Sequence, residues 1–246
     1  MQRTMPLILA ALIGTAALTP LGAKPDAAQA AQLASAERPE ADKVRDADRK
    51  PGAVLAFARI KPGMKVIELA PGGGYYTRVL SLALGQKGTL YPRGARISPA
   101  VEEWAKSHPN TRPALSSADG LAVPEAVNVV WTTLNYHDFK NAKVGDRNLA
   151  EVTNAQAFAA LKPGGVYIVS DHAAAVGAPA DVTSTLHRID EASVIREVEA
   201  AGFKLEAKSA LLAHPADDHT QKVFEGAVRG KTDQFLLKFR KPKGKR

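Results

Sequence analysis

The chain has 246 residues, 45% of them hydrophobic, and a formal net charge of +8. This size fits one α/β domain with an extension, and the apolar content is that of a globular protein with a buried core. Because the chain contains no cysteine, disulfide bonds, thiolate nucleophiles and zinc–thiolate sites are excluded.

Residues 1–30 have the pattern of a secretory signal peptide. Arg3 gives a positive start, the stretch from Pro6 to Leu18 is apolar, and Ala28-Gln29-Ala30 fits a small-x-small cleavage site. The apolar stretch is too short to span a bilayer well. We therefore predict export, to a periplasmic compartment, with no membrane span after cleavage. An uncleaved anchor and a wrongly assigned start are the alternatives.

The segment 31–50 is rich in alanine and charged residues and is predicted to be a flexible lead-in. The main domain is predicted to cover 51–242, since Pro51 can start a helix whose first turn needs no backbone donor from it. A basic tail, 243–246, follows. Lysine and arginine are frequent near this end, but without a base-stacking pattern of aromatic residues. We interpret it as a solvated end and expect no nucleic-acid partner.

A strand, a glycine turn and a helix follow one another in the middle of the domain. The apolar run from Val66 to Ala70 is predicted to be a buried strand, Gly72 to Gly74 a tight turn, and Tyr76 to Leu84 a helix. Glycine allows a sharp bend and lets a ligand lie against the backbone. In an open parallel sheet such a turn lies at the carboxyl edge, where nucleotides bind.

Strands and helices alternate along the rest of the chain. Strands are predicted at 89–91, 114–115, 126–133, 166–170, 203–212 and 235–239, and helices at 99–107, 149–161 and 191–201. This alternation indicates a parallel sheet with helices on both faces. The last two strands are separated by a loop alone, which favours an antiparallel hairpin at one edge.

The order and spacing of these motifs resemble the class I S-adenosylmethionine-dependent methyltransferases. That family has an acidic-x-Gly-x-Gly-x-Gly loop after its first strand, and a Lys-Pro-Gly-Gly turn before its fifth, as at 162–165 here. The resemblance implies an α/β fold with a Rossmann-like, seven-stranded, mostly parallel sheet, helices on both faces and a C-terminal antiparallel hairpin. It also implies S-adenosylmethionine as the cofactor. The cofactor-binding residues that it implies are Glu68, Ala70, Gly72, Gly73, Gly74, Asp119 and Asn135.

Three shorter motifs resemble a bacterial subgroup of that family usually labelled predicted methyltransferase. They are Asn-Tyr-His-Asp at 135–138, His-Arg-Ile-Asp at 187–190 and Arg-Gly-Lys-Thr-Asp at 229–233. Each motif is weak alone, and their order and spacing carry the resemblance.

The second strand departs from the family pattern. The family places an acidic residue there to hold both ribose hydroxyls, whereas this chain has Arg96, and arginine cannot accept hydrogen bonds. Glu102 or Glu103 could substitute, the ribose site could be lost, or Arg93 and Arg96 could meet an anionic ligand. Asp119 matches a position that contacts adenine in the family; a turn-forming Asp-Gly is the alternative.

Polar residues follow the fourth and fifth predicted strands and should share the rim of the glycine turn. We predict His137 as a general base, with Asp138 or Tyr136 beside it, because histidine titrates near neutral pH. The residues predicted to contact substrate are Asp171, His172, His187 and Arg188. The alternative is that the histidines only hydrogen-bond within loops. A metal held by Asp138, Asp171, His172 and His187 is a third interpretation, but no tight ligand spacing supports it, so the favoured one has no metal.

Three functions follow from these observations. The first is a methyltransferase acting on a small molecule or an envelope component, although export would separate it from a cofactor made in the cytoplasm. The second is a non-catalytic ligand-binding protein that kept the fold, which Arg96 favours. The third is a hydrolase using metal or histidine. We favour the first, with a small-molecule substrate as its partner.

Overall fold

A seven-stranded sheet forms the centre of the protein, seen in a computed structural model that describes residues 30, 32–117 and 120–244. Its strands are β1 (Lys65–Leu69), β2 (Thr89–Gly94), β3 (Ala114–Leu115), β4 (Val127–Thr133), β7 (Leu161–His172), β8 (Lys204–Ser209) and β9 (Gln234–Arg240). They lie in the order β3-β2-β1-β4-β7-β9-β8. Pairing is parallel from β3 to β7, whereas β9 runs antiparallel to both β7 and β8. The predicted α/β fold with a C-terminal antiparallel hairpin is confirmed.

Helices cover the sheet, and a separate two-stranded hairpin lies beside it. The helices are α1 (Glu40–Lys43), α2 (Asp46–Arg49), α3 (Pro51–Ala58), α4 (Tyr75–Leu84), α5 (Pro99–Ser107), α6 (Tyr136–Lys140), α7 (Leu149–Ala160), α8 (Val182–Thr185) and α9 (Glu191–Ala200). The hairpin consists of β5 (Lys143–Val144) and β6 (Arg147–Asn148). The sequence pattern does not predict α1, α2, α6, α8 or this hairpin, because elements of two to five residues are too short to show a periodicity.

The apolar strands supply a core on each face of the sheet. On β4, Val129 and Trp131 belong to the core under α3 and α4, whereas Val130 belongs to the core under α7 and α9. Successive side chains of a strand point to opposite faces, and here both faces are covered. This is why the strands read as continuous apolar runs rather than as alternating ones.

The Lys-Pro-Gly-Gly sequence at 162–165 lies within β7 rather than before it. Val127 pairs with Leu161 and Val129 with Val166, so two steps along β4 match five steps along β7. The extra residues form a bulge, which accommodates a proline that has no N–H to donate to the ladder. The expected turn is therefore a local interruption of a longer strand.

The segment predicted to be a flexible lead-in is folded against α4. Asp42 accepts a hydrogen bond from Arg78 at 2.5 Å, and both side chains are buried. Arg38 makes two bonds of 2.7 Å to the carboxylate of Asp46, which also accepts a bond from the Tyr75 hydroxyl at 2.6 Å. Several of the charges that made 31–50 look solvated are thus paired with one another or with α4.

Two predictions concern residues that the structure does not describe. The signal peptide predicted at 1–30 lies outside the described residues except for Ala30, and so does Asp119. Over the described ranges, no helix combines the length and the apolar character that crossing a membrane requires.

Candidate functional site

A tight glycine turn joins β1 to α4 at the carboxyl edge of the sheet. Gly72 has φ +54° and Gly74 φ +83°, in the left-handed region that favours glycine. The Ala70 N–H donates to the carbonyl of Arg93 at 2.7 Å, and the Ser98 hydroxyl donates to the carbonyl of Gly72 at 2.7 Å. The turn is therefore fixed to the end of β2, with the first amides of α4 directly behind it.

A cavity of about 750 Å³ opens above this turn. Ala70, Gly72 and Gly73 form one wall, and the end of β2 with Arg96 and Ser98 forms another. The facing wall comes from α6, β5 and α7, and includes Asp138, Phe139 and Val144. This volume is within the range of ligand pockets that hold small molecules and cofactors.

The residues predicted to bind a cofactor fall into two groups. Ala70, Gly72, Gly73 and Asn135 line the cavity. Asn135 also donates its amide to the carbonyl of Ala70 at 3.1 Å, which ties the end of β4 to the turn. Glu68 and Gly74 do not line it. Glu68 is buried and accepts a bond of 2.6 Å from the Thr77 hydroxyl, so it joins β1 to α4 beneath the turn.

Both arginines at the end of β2 line the cavity, but the guanidinium of Arg93 is already hydrogen-bonded to backbone carbonyls. Arg93 is buried, and its guanidinium donates to the carbonyls of Pro92, Arg112, Leu121 and Ala122. Arg96 is exposed and lines the cavity. Glu102 and Glu103 are exposed on α5 and are not among the lining residues, so neither replaces the missing acid.

Asp171, at the end of β7, organises the polar rim. Its carboxylate accepts bonds of 2.8 Å from the backbone N–H groups of His137 and His172, and pairs with His137 Nδ1 at 2.8 Å. Asp171 and His137 are both buried. Burial disfavours both charges, but the mutual attraction outweighs it, raising the pKa of His137 and lowering the pKa of Asp171. His137 therefore has an orienting carboxylate, but it is Asp171, which was predicted to contact substrate, rather than the predicted neighbour Asp138.

Asp138 and His187 face the other ring nitrogen of His137. Asp138 Oδ1 lies 3.4 Å from His137 Nε2 and 3.6 Å from His187 Nδ1. Within the described part of the chain, neither of these nitrogens has a hydrogen-bond partner. Asp138 is the member of this cluster that lines the cavity, whereas His137 Nε2 is enclosed. The side chain of this cluster that borders the cavity is thus Asp138, and not His137, the predicted base.

Neither His172 nor Arg188, both predicted to contact substrate, lines the cavity. His172 bonds to the Thr232 hydroxyl at 2.6 Å, and burial lowers its pKa to about 4. Arg188 is fully buried and forms two bonds to the carboxylate of Asp217, at 2.8 and 2.9 Å. Both side chains hold loops in place. They were predicted to lie at the rim because they are adjacent in sequence to Asp171 and His187.

Tyr136 points into the core rather than toward His137. Its hydroxyl donates to Glu197 at 3.0 Å and accepts from the Asn154 amide at 2.7 Å.

We expect Tyr136→Phe to lower the free energy of unfolding by about 1–3 kcal/mol, because the buried Asn154 amide loses its acceptor. Tyr167→Phe is the control, since that buried hydroxyl has no partner among the described residues. Chemical denaturation of both variants checks this; equal losses would contradict it.

The wall that faces the glycine turn was not predicted from the sequence. Phe139, Lys143, Val144, Leu149 and Val152 line the cavity from α6, β5 and α7. Apolar residues in a helix are expected in the core, and no signal in the sequence distinguishes those that border a cavity. The placement of β5 depends on its hairpin with β6.

No model of a known protein family matches the chain, and no curated protein matches it significantly. Solved structures do. An S-adenosylmethionine-dependent methyltransferase from Aquifex aeolicus is 18% identical, with 82% of this chain and 97% of that chain covered and a TM-score of 0.57. An arsenic(III) S-adenosylmethionine methyltransferase from Chlamydomonas reinhardtii is also 18% identical, with 88% and 73% covered and a TM-score of 0.54. The cyclase SpnF is 16% identical, with 80% and 82% covered and a TM-score of 0.58. The chain therefore has the fold of the S-adenosylmethionine-dependent methyltransferases, a fold that these structures share with a cyclase.

Proposed function

We propose that the protein is an S-adenosylmethionine-dependent methyltransferase acting on a small molecule. The observation that carries this proposal is the cavity between the glycine turn and Asp138, in a fold whose solved neighbours are mostly methyltransferases by name. The turn would receive the cofactor, and the side of the cavity at Asp138 would receive the methyl acceptor.

The cofactor would lie against backbone rather than against side chains. Gly72 and Gly73 leave room for it, and the first amides of α4 lie behind the turn. At the ribose end, Ser98 and Ser116 line the wall beside Arg96. Hydroxyl groups both donate and accept, so they can pair with ribose hydroxyls where the acidic residue is missing.

For methyl transfer the protein mainly has to align the acceptor atom with the methyl carbon and the sulfonium sulfur. A lone pair of the acceptor's oxygen, nitrogen or sulfur forms a bond to the methyl carbon while the carbon–sulfonium bond breaks, and that electron pair returns to sulfur. The acceptor loses one proton. The anionic side chain of Asp138, 55% exposed at the cavity wall, favours the acceptor side for positive charge and for the departing proton.

Gly73→Val tests the cofactor site without disturbing the fold. Gly73 lines the cavity, its φ is not positive, and a Cβ built on it meets nothing within 4 Å. We expect calorimetry to show binding of S-adenosylmethionine and S-adenosylhomocysteine to the unchanged chain, and at least about tenfold weaker binding to Gly73→Val, a loss of about 1.4 kcal/mol.

The matched control is Gly244→Val, because an added Cβ there also meets open space, outside the cavity lining. The melting temperatures of both variants should equal that of the unchanged chain. Gly74→Val is unsuitable, since its Cβ would lie 2.8 Å from the Arg78 side chain. No binding of either ligand, or equal binding to Gly73→Val, would overturn the proposal.

We also propose that the chain is exported, on the pattern of residues 1–30. Mass spectrometry of the N-terminus of protein from the native cell tests this, with cleavage after Ala30 as the expected result and an intact Met1 as the contrary one.

A further inference from the structure

We propose that His137, Asp138 and His187 bind one divalent transition-metal ion, of the class represented by Zn²⁺, at the edge of the cavity. Two imidazole nitrogens and one carboxylate oxygen are ligands that such ions accept. The three candidate ligand atoms all lie within 4.8 Å of one another. This set differs from the four residues that the sequence suggested, since Asp171 and His172 bond elsewhere.

The two separations that involve Asp138 are close to those of a tetrahedral site. Metal bonds of about 2.0–2.1 Å to nitrogen and oxygen place ligand atoms about 3.3 Å apart at the corners of a tetrahedron. Asp138 Oδ1 lies 3.4 Å from His137 Nε2 and 3.6 Å from His187 Nδ1. An ion could enter between these atoms with only small side-chain movements.

The two nitrogens need an occupant. His137 Nε2 and His187 Nδ1 are buried and, over the described residues, have no hydrogen-bond partner. His137 is 2% exposed as a residue. Buried polar atoms are nearly always paired, so atoms that converge without a partner indicate a missing ion, water or proton.

The surroundings of His137 are those of a metal ligand. Its Nδ1 is held by the buried Asp171 carboxylate at 2.8 Å, which orients the ring and directs Nε2 toward Asp138 and His187. A carboxylate behind a ligating histidine is a usual second layer of metal sites. His187 is held in place too: its backbone has φ +56°, and the Phe224 ring packs on its ring at a centroid distance of 4.9 Å.

A proton is the competing occupant. If His137 were doubly protonated, its Nε2–H would point toward Asp138 and no metal would be needed. The two occupants make different predictions, because a proton leaves His187 without a role, whereas a metal requires it.

The ion would bring the acceptor to the methyl group; this step rests on the proposed function. Three protein ligands leave at least one coordination position open, as in catalytic zinc sites. Since Asp138 also lines the cavity, an acceptor there could bind the ion through its oxygen or sulfur and release its proton to water. The same atom then forms the bond to the methyl carbon, and the sulfonium becomes a neutral thioether.

The test is a calorimetric titration of the full chain with Zn²⁺, after removal of metals with a chelator and without any cofactor. We expect one ion per chain, and at least about tenfold weaker binding to His187→Asn and to Asp138→Asn. Losing a direct ligand should cost no less than losing a residue that only supports a ligand, which weakens metal binding by about 10–100-fold. Asparagine tolerates the positive φ of residue 187, so this variant should fold. Melting temperatures check folding.

His219→Asn is the matched control. His219 also has a positive φ, +66°, and its Nε2 lies 3.0 Å from the carboxylate of Asp233. It is outside the cluster and should leave zinc affinity unchanged. Nitrogen NMR of the histidines should show His137 Nε2 losing any proton and shifting when Zn²⁺ is added.

Three results would overturn the proposal. The first is that Zn²⁺ does not bind stoichiometrically, and the second is that His187→Asn and Asp138→Asn bind it as tightly as the unchanged chain. The third is a His137 Nε2 that stays protonated with Zn²⁺ in excess. Binding of S-adenosylmethionine is measured separately, with chelator present. Failure of the metal site and failure of the cofactor site are therefore distinguishable.

Discussion

Replacing Arg188 by methionine is expected to lower the free energy of unfolding by about 3–5 kcal/mol. The guanidinium is fully buried, forms two bonds to Asp217 and donates to the carbonyls of Ala173 and Gln221. Methionine keeps much of the volume but leaves a buried carboxylate without its cation. The same carboxylate accepts the backbone N–H of Asp233 at 2.7 Å, and this bond offsets only part of the cost of the unpaired charge. Urea denaturation measures the loss.

Arg196→Met is the control for this prediction, because Arg196 is exposed on α9 and bonds only to a neighbouring serine among the contacts described. A surface change of this kind should stay within about 0.5 kcal/mol. Adding Asp217→Asn to Arg188→Met should cost less than the sum of the single changes, since the unpaired charge is removed. A loss below about 1 kcal/mol for Arg188→Met would show that the pair does not stabilise the fold.

Replacing Glu68 by glutamine is expected to remove a pH dependence of stability worth about 3–5 kcal/mol. Burial raises the pKa of Glu68 from 4.5 to about 8, and the Thr77 hydrogen bond and the Arg78 charge offset only part of this. The folded chain therefore holds a proton that the unfolded chain releases above pH 4.5. The contribution of Glu68 is fully present below that pH and is lost as the pH rises toward 8. Glutamine stays neutral throughout.

The measurable quantity is the difference in unfolding free energy between Glu68→Gln and the unchanged chain. It should shift in favour of the variant between about pH 5 and about pH 8, because the other titrating groups are common to both and cancel. Glu102→Gln, on the exposed face of α5, is the control variant. A difference for Glu68→Gln that does not change with pH would mean that this carboxyl is ionised in the folded chain.

The strands and the long helices were predictable from local patterns. The run Val127–Thr133 is rich in β-branched and apolar residues, as buried strands are, and Leu149–Ala160 is long enough to be recognised as a helix. The packing of 32–50 was not predictable, because Asp42 finds Arg78 across 36 positions of sequence. When the partner of a charged residue lies so far away in sequence, the local sequence suggests that the residue is solvated.

At the polar rim, too, some features could be predicted from the sequence and others could not. That His137 would have a neighbouring carboxylate was predictable from the polar residues after β4 and β7, but which carboxylate was not. Asp171, at the end of β7, orients His137. Tyr136 points into the core, and the guanidinium of Arg188 is paired with Asp217. A helical or loop residue commits its side chain to one direction, and adjacent residues in α6 point to different surroundings.

The chain by itself determined the order of strands and helices, the position of the glycine turn and the set of polar residues at the strand ends. These depend on periodicity, on backbone freedom and on the rule that parallel strands end at one edge, all of which are local or topological. Tertiary structure alone decided that Asp138 borders the cavity, that His187 faces His137, and that Glu68 is buried, which raises its pKa. Those outcomes depend on distances and burial between residues far apart in sequence, which packing sets.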